Sequence, residues 1–238
     1  MVELSLENCR NVMLRSLPPD DLRVLAEHLE RVEFAQHDVL FRPNEHIATV
    51  VFPEDGIYSL VIQSSDGRKL EAGLFGRDGL SDGWIAAGID SVPLECFVQV
   101  AGFGLRMKSA ELGVLSQERP AISRMLCRWV HLLGLQTAQT ALANGNYNVE
   151  ERLARWLLMC QDRLGRDEIN LTHDFLSTML AVRRSSVTLS IHMLEGSRLI
   201  SAKRSNITIL DREALIGIAD GCYGIAEAEY ERLVGPLG

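Results

Sequence analysis

The stretch TMLAVRRSSVTLSIHMLEGSRLISAKRSNITIL, residues 178–210, sets two adjacent arginines and a run of small hydroxyl residues at the head of an amphipathic helix. Just upstream, Thr172 is placed to N-cap a short helix over about 173–180 by accepting a bond from a first-turn amide. Phe175, Leu176, Met179 and Leu180 form the inward side of that helix. Ala181-Val182-Arg183 makes a tight turn into a second helix over 184–195, where Val187, Ile191 and Leu194 recur at i, i+4, i+7 as a buried stripe. The opposite side carries Arg184, Ser185, Ser186, Thr188, Leu189 and His192. This is the pattern of a helix-turn-helix, in which one helix braces and the other presents its first turns to a DNA groove. Small residues let such a helix approach base edges, and Ser or Thr hydroxyls can bond phosphates or bases. Arg184 is long enough to reach guanine O6 and N7 together. The segment LISAKRSNITIL then reads as two strands around Arg204-Ser205-Asn206, a wing whose Lys203 and Arg204 would meet backbone phosphates. Pattern alone also admits a plain pair of helices beside a hairpin with a solvated basic tip.

The rest of the chain gives that unit a setting. With 238 residues there is room for two domains. Net charge is −8, so no general affinity for polyanions follows, yet residues 183–204 hold five basic side chains against Glu195 alone. Any nucleic-acid surface is therefore local. No stretch is long and apolar enough to span a bilayer, and MVELSLENCR lacks the basic and apolar regions of a secretion signal. Five scattered cysteines fit a reduced, cytoplasmic setting.

Residues 1–30 read as helical, with Leu22, Leu25 and Leu29 on one face. Short β-rich runs bounded by Gly, Pro, Asp and Ser follow from about 32 to 108, with a hairpin turn at Ser65-Asp66-Gly67, and predict a sandwich or jelly roll. Pro120 opens a long helix over about 119–143. Ile122, Met125, Trp129, Leu132, Gln136 and Gln139 form one row on it; Leu126, Val130, Leu133, Thr137 and Thr140 form a second. Two rows suffice to pack on the β-domain and to seat the same helix of a second copy, although a helix buried wholly within its own chain fits the pattern too. ANGNYN, 143–148, predicts a hinge where left-handed conformations come easily. Another helix is expected over 148–164 on the stripe Val149, Leu153, Trp156, Leu157, Cys160, then a loop through RLGRDEINL and a mostly helical tail over 212–238.

The segment INLTHDFLSTMLAVRRSSVTLSIHMLEGSRLIS, 169–201, closely resembles the signature of the Crp/Fnr family of bacterial transcription regulators, and the order of elements resembles that family over nearly the whole chain. The resemblance implies an α+β architecture. An N-terminal β-roll (jelly-roll) sensor domain would occupy 1–118, a dimerisation helix and hinge 119–146, and a C-terminal winged helix-turn-helix domain 147–238. Double-stranded DNA, a second copy of the chain and RNA polymerase are the implied partners. Arg184 matches the family's first base-reading arginine. Ser185 falls where many members carry a glutamate, and Leu189 where many carry a second arginine. Arg183 takes the usual Ser/Thr N-cap position, and Thr172 and His173 match positions that often touch phosphates. The expected dimer contacts are Ile122, Met125, Leu126, Trp129, Val130, Leu132, Leu133 and Gln136.

The same resemblance frames what the sensor domain would bind. In GRDGLSDGWIAAGIDSVPLECFVQVAG, 76–102, the Gly-Glu pair that holds a cyclic nucleotide's ribose is missing, and Asp82-Gly83 is its nearest counterpart. Leu94-Glu95 stands where an Arg-Ser pair would fix the cyclic phosphate. An apolar residue and an anion cannot replace that cation, so no cyclic nucleotide is expected unless Arg68, Arg77 or Arg106 supplies the charge from elsewhere. An iron–sulfur cluster needs about four gathered thiolates, and Cys9 is alone at the N-terminus. The six histidines (His28, His37, His46, His131, His173 and His192) show no spacing that marks a haem or metal site. Phosphate loops, metal-ligand spacings and nucleophile elbows are also lacking, so an enzyme is not expected. The competing reading is a β-roll protein for a ligand or partner whose DNA unit has lost sequence specificity, motivated by Ser185 and Leu189.

Overall fold

The computed structural model describes residues 9–203 and 206–237. Two short helices, α1 (Val12–Arg15) and α2 (Pro19–Ala26), lead into the β-rich region. Pro18 and Pro19 start α2, since a proline in the first turn lacks only an amide that has no partner there. Leu22, Leu25 and Leu29 are all buried, as their spacing predicts. Strands β1 (Glu30–Phe34), β2 (Val39–Phe41), β3 (Thr49–Pro53), β4 (Ile57–Gln63) and β5 (Lys69–Phe75) follow. A single 3-10 turn (Trp84–Ala87) then precedes β6 (Glu95–Val100) and β7 (Gly102–Lys108). They form two antiparallel sheets, in the orders β1-β7-β3 and β2-β6-β4-β5. The 57–63 and 69–75 strands pair through the expected turn, where Gly67 adopts φ +86°.

Between the sheets, Tyr58 and Phe75 stack with ring centroids 5.4 Å apart. The four-stranded sheet is covered on its other face as well, which explains why IYSLVI is apolar almost throughout. Ile57, Leu74 and Val100 belong to a second core shared with the C-terminal helices.

Helix α3 (Ser109–Glu118), which the sequence reading left unassigned, joins α4 (Pro120–Asn146) at Arg119. The first row on α4 packs into the chain's own fold: Trp129 meets Phe75 edge-on at 5.8 Å. Gln136 bonds Leu74 twice, accepting from its amide at 2.7 Å and donating to its carbonyl at 3.0 Å. The second row closes over β5 and the 3-10 turn. The expected dimer contacts therefore need correction. Ile122, Met125, Leu126, Trp129, Leu132, Leu133 and Gln136 are all buried within one chain, and Val130 is half-buried. The open face of α4 carries Cys127, Gly134, Ala138 and Ala141 instead.

The predicted hinge is also shorter than expected. Helix α4 runs through Gly145 to Asn146, and none of residues 143–148 has a positive φ. The break falls at Tyr147, in extended conformation, because Asn148 immediately caps α5 (Val149–Leu164). Its side chain accepts from the Glu151 amide at 3.1 Å while Glu151 accepts from the Asn148 amide at 2.7 Å, a capping box.

Strand β8 (Glu168–Asn170) replaces the expected loop, because β10 pairs with it. Then come α6 (His173–Met179), α7 (Arg184–Gly196), β9 (Ile200–Lys203), β10 (Asn206–Ile209), α8 (Arg212–Ile218) and α9 (Ile225–Leu233). Helix α9 leaves the C-terminal unit and packs on α4. Tyr230 buries itself in the first core and donates its hydroxyl to the Asp78 carbonyl at 2.8 Å. The return crossing passes Gly221, at φ +78°, where an added Cβ would lie 2.5 Å from the Tyr147 hydroxyl.

Helix α5 lies on the outer face of the four-stranded sheet and meets two buried acids. Trp156 Nε1 donates to Glu71 Oε1 at 2.8 Å, and Arg163 Nη2 pairs with Asp78 Oδ2 at 2.8 Å. Two helical turns separate those residues on one face. Arg166 pairs with Asp55 at 2.9 Å, and Phe175 of α6 meets Phe97 of β6 edge-on at 6.3 Å. That last contact turns Phe175 toward the sheet, so it is only half-buried, whereas Leu176, Met179 and Leu180 fill the helical core.

Candidate nucleic-acid interface

Thr172 caps α6 as predicted, its hydroxyl accepting from the Phe175 amide at 3.2 Å. Ala181 takes φ +49° in the turn, and the Val182 amide bonds the Ser177 carbonyl at 3.0 Å. Arg183 stands at the N-cap of α7 in extended conformation, with no capping bond from its side chain. Arginine is a donor only and cannot accept from first-turn amides, so the side chain is left to project.

Val187, Ile191 and Leu194 are buried to 1% exposure or less and fix α7 against α5 and α6. Ser190 joins the buried side. Arg183, Arg184, Ser185, Leu189 and His192 lie on the exposed side, Leu189 at 62%. Ser186 and Thr188 are half-buried, and the Thr188 hydroxyl donates to the Arg184 carbonyl at 3.1 Å. Its proton is therefore committed within the helix. Met193, 50% exposed, extends the apolar spot begun by Leu189 and was not singled out from the sequence.

The wing follows the predicted register. Lys203 pairs with Asn206 across the hairpin, which leaves a two-residue tip. Glu195 accepts from the Ala202 amide at 2.7 Å and ties α7 to β9. Lys203 is exposed; Arg204 and the side chain of His173 lie outside the described residues.

One part of the surface was missed. A broad cleft at the head of α7 is lined by Arg183 and Ser186 on one side and by Arg68 and Lys69 of the β4–β5 hairpin on the other. Their charges are partly balanced, Arg68 by Asp66 at 2.7 Å and Lys69 by Glu95 at 2.9 Å. Those two residues stand over a hundred positions away in the chain, so no local charge count could have joined them to the helix.

The sensor-side features fall elsewhere. A cleft of about 370 Å³ lies between β4, β5 and α4, lined by Leu60, Ile62, Trp84, Leu94, Val130 and Leu133 among others. Glu95 turns away to Lys69. Asp82 is buried, and burial pushes its carboxyl up to about 6 even though it accepts from the Trp84 amide at 3.0 Å. Arg106 pairs with Glu30 at 2.6 Å, and Arg77 donates to the Asp162 carbonyl at 3.1 Å. Cys9, Cys96, Cys160 and Cys222 are buried and Cys127 is exposed; burial pushes the Cys9 thiol up to about 12. Among the described residues, no group of three His, Cys, Asp or Glu side chains could hold a metal ion, and no helix is long and apolar enough to cross a membrane.

Residues 151–218 match the Crp-like helix-turn-helix domain family. No curated protein matches the chain. Among solved structures, the chain is similar to FixK2 from Bradyrhizobium japonicum, at 15% identity over 80% of this chain and 96% of that one, with a TM-score of 0.68. It is similar to the c-di-GMP-responsive global regulator CLP of Xanthomonas campestris, at 16% identity over 81% and 99%, with a TM-score of 0.65. It is also similar to a CRP-family transcriptional regulator from Thermus thermophilus, at 19% identity over 80% and 96%, with a TM-score of 0.63. These structures share its fold: a β-roll, a long helix and a C-terminal helix-turn-helix. Residues 151–218 thus carry a Crp-like helix-turn-helix domain, set on a fold similar to that of Crp/Fnr regulators of known structure.

Proposed function

We propose that the protein reads an inverted-repeat operator as a homodimer, in a bacterial cytoplasm, and controls transcription there with RNA polymerase as its partner. The observation that carries this reading is the head of α7. Arg184 and Ser185 stand exposed on a helix packed from behind by α5 and α6, and the wing carries an exposed lysine, Lys203. Arg184 would take a guanine bidentately, and Leu189 would contact a thymine methyl, the pairing open to an apolar side chain in the major groove. Thr172, Arg183, Ser186, Thr188 and Lys203 would position the backbone, together with His173 and Arg204. Two recognition helices must stand about 34 Å apart, which calls for a two-fold axis. The open face of α4 supplies a surface for it: Gly134, Ala138 and Ala141 are small enough for two helices to approach closely.

Cyclic nucleotides would not control this protein. The cleft beside α4 is walled by aliphatic and indole groups, with Leu94 where a phosphate would sit. Arg68, Arg77 and Arg106 are engaged with Asp66, Asp162 and Glu30. An anion entering there would lose its hydration without a compensating charge.

Selection of bound genomic fragments by the purified protein tests the reading. An inverted repeat with a guanine in each half should emerge. Arg184→Ala should abolish the preference at that position, worth about 1–3 kcal/mol per half-site. Lys203→Ala should weaken binding to all sequences alike and reduce the salt slope by about one. If fragments are retained in a salt-dependent way with no motif enriched, the sequence-specific reading fails.

A further inference from the structure

Where β5, α4, α5 and α6 converge, a void the size of a water molecule is lined by Glu71, Thr140, Arg152, Arg155, Trp156 and Met159 among others. Arg155 is 6% exposed, and its Nε and Nη2 meet no acceptor among the described residues. Arg152 donates through Nη2 to the Leu180 carbonyl, and its Nε is likewise unmet. Guanidinium does not give up its proton in a protein, so this is a buried cation with open donors. The acids nearby are committed. Glu71 accepts from Trp156 through Oε1 and bonds the Ser59 hydroxyl through Oε2 at 2.8 Å, while Glu227 accepts from the Gly224 amide at 2.9 Å.

The protons around Ser59 sharpen the imbalance. Its hydroxyl lies 2.8 Å from Glu71 Oε2 and 2.6 Å from Gln99 Oε1, but it has only one hydrogen to give. Both contacts are satisfied when Glu71 is protonated and donates to Ser59, which donates onward to Gln99; with the Gln99 amide turned, its otherwise unpartnered Nε2 donates to Ser59 and an ionised Glu71 satisfies them too. Burial favours the protonated state, pushing the Glu71 carboxyl up to about 7 against the pull of Ser59, Trp156, Arg155 and Arg163. Cys160, also within the field of Glu71, is raised by its burial and stays a neutral thiol. With Glu71 neutral, no ionised acid lines the void beside Arg155 and Arg152, and the counter-charge that still acts on Arg155, Glu227, is not among the lining residues.

We propose that this void is a binding site for one small inorganic anion of chloride size, held on the open donors of Arg155 with Arg152 beside it. The bound ion would join sensor sheet, long helix and DNA-binding unit at one point. Crystals grown in bromide and measured at its absorption edge should show an anomalous peak within hydrogen-bond reach of Arg155; ordered water there without a peak overturns the site. In solution, exchange of gluconate for chloride at fixed ionic strength should raise the melting temperature saturably. Arg155→Met should lose that response, and an equal response in this variant also overturns the proposal. Because an ionised Glu71 competes with the anion, the response should fade above about pH 7 in the wild type. It should persist in Glu71→Gln, a variant that keeps both hydrogen-bonding roles. A response independent of pH in both proteins would remove Glu71 from the site and with it the charge argument.

Discussion

Removing Arg163 tests the seam that docks α5 on the β-roll. Its guanidinium is 5% exposed, pairs with an Asp78 side chain 2% exposed, and donates through Nη1 to the Met159 carbonyl at 2.8 Å. In Arg163→Met the apolar stem is retained, while among the described residues Asp78 keeps only the Gly76 amide, 2.7 Å from Oδ1, as a side-chain partner. A carboxylate stranded in this way costs about 3–5 kcal/mol. Against a total stability of roughly 5–15 kcal/mol, that is about a fifth or more. With a urea slope of about 2–3 kcal/mol per molar, the midpoint should fall by roughly 1–2 M. The assay is equilibrium unfolding followed by tryptophan fluorescence, since Trp156 sits on the same face of α5. In the double variant Arg163→Met/Asp78→Asn, the amide oxygen still accepts from Gly76 and no charge remains. It should recover most of the loss, to within about 1 kcal/mol of wild type. Equal losses in the single and double variants would refute the reasoning, because the cost would then come from packing rather than from a stranded charge.

The Glu71 carboxyl makes stability depend on pH. Its folded value, about 7, lies above its ordinary 4.5, so the native state holds the proton more tightly than the unfolded chain does. The contribution is complete below about pH 4.5, declines through the window and is gone above about 7, a span of about 3 kcal/mol. Denaturation across pH 4–8 should show Glu71→Gln without this slope and more stable than wild type at pH 8. Gly134→Glu meets no atom of its own chain within 4 Å of the new Cβ, so the fold should survive while light scattering reports a monomer; a persisting dimer would place the interface elsewhere. Calorimetry with millimolar cAMP should give no saturable heat, and a micromolar constant would overturn the assignment of the apolar cleft.

The helix-turn-helix unit was legible because its signals are local. A cap at Thr172, a stripe at Val187, Ile191 and Leu194, and a two-strand wing all lie within about forty residues. What stayed hidden depends on distant partners. Arg155 and Arg163 stand outside the apolar stripe expected on the 148–164 helix, yet both are buried, Arg163 against an aspartate 85 positions away. The Trp129 row on α4 looked available for a second copy because nothing in its own sequence announces that α9 returns to cover it. The Gly145 region looked like a breaker by composition. Continuing the helix through a glycine costs only about 1 kcal/mol, which the burial of Ala143 against the C-terminal core helps to offset.

The closeness of Tyr147 and Gly221 has a mechanical meaning. A body strapped at two distant points swings like a door, about the line that joins them. Here the outgoing crossing at Tyr147 and the return at Gly221 lie within the reach of one tyrosine side chain, so the covalent tethers act more like a ball joint than a door hinge and do little to fix the angle of the C-terminal unit. Its bearing is then set chiefly by the noncovalent seam, through Trp156 on Glu71, Arg163 on Asp78 and Phe175 on Phe97. In such a joint the pivot tolerates a bolt while the rim does not. A cross-link near residues 147 and 221 would leave the unit able to swivel, whereas one near residues 97 and 175, far out on the arm, would lock it in place.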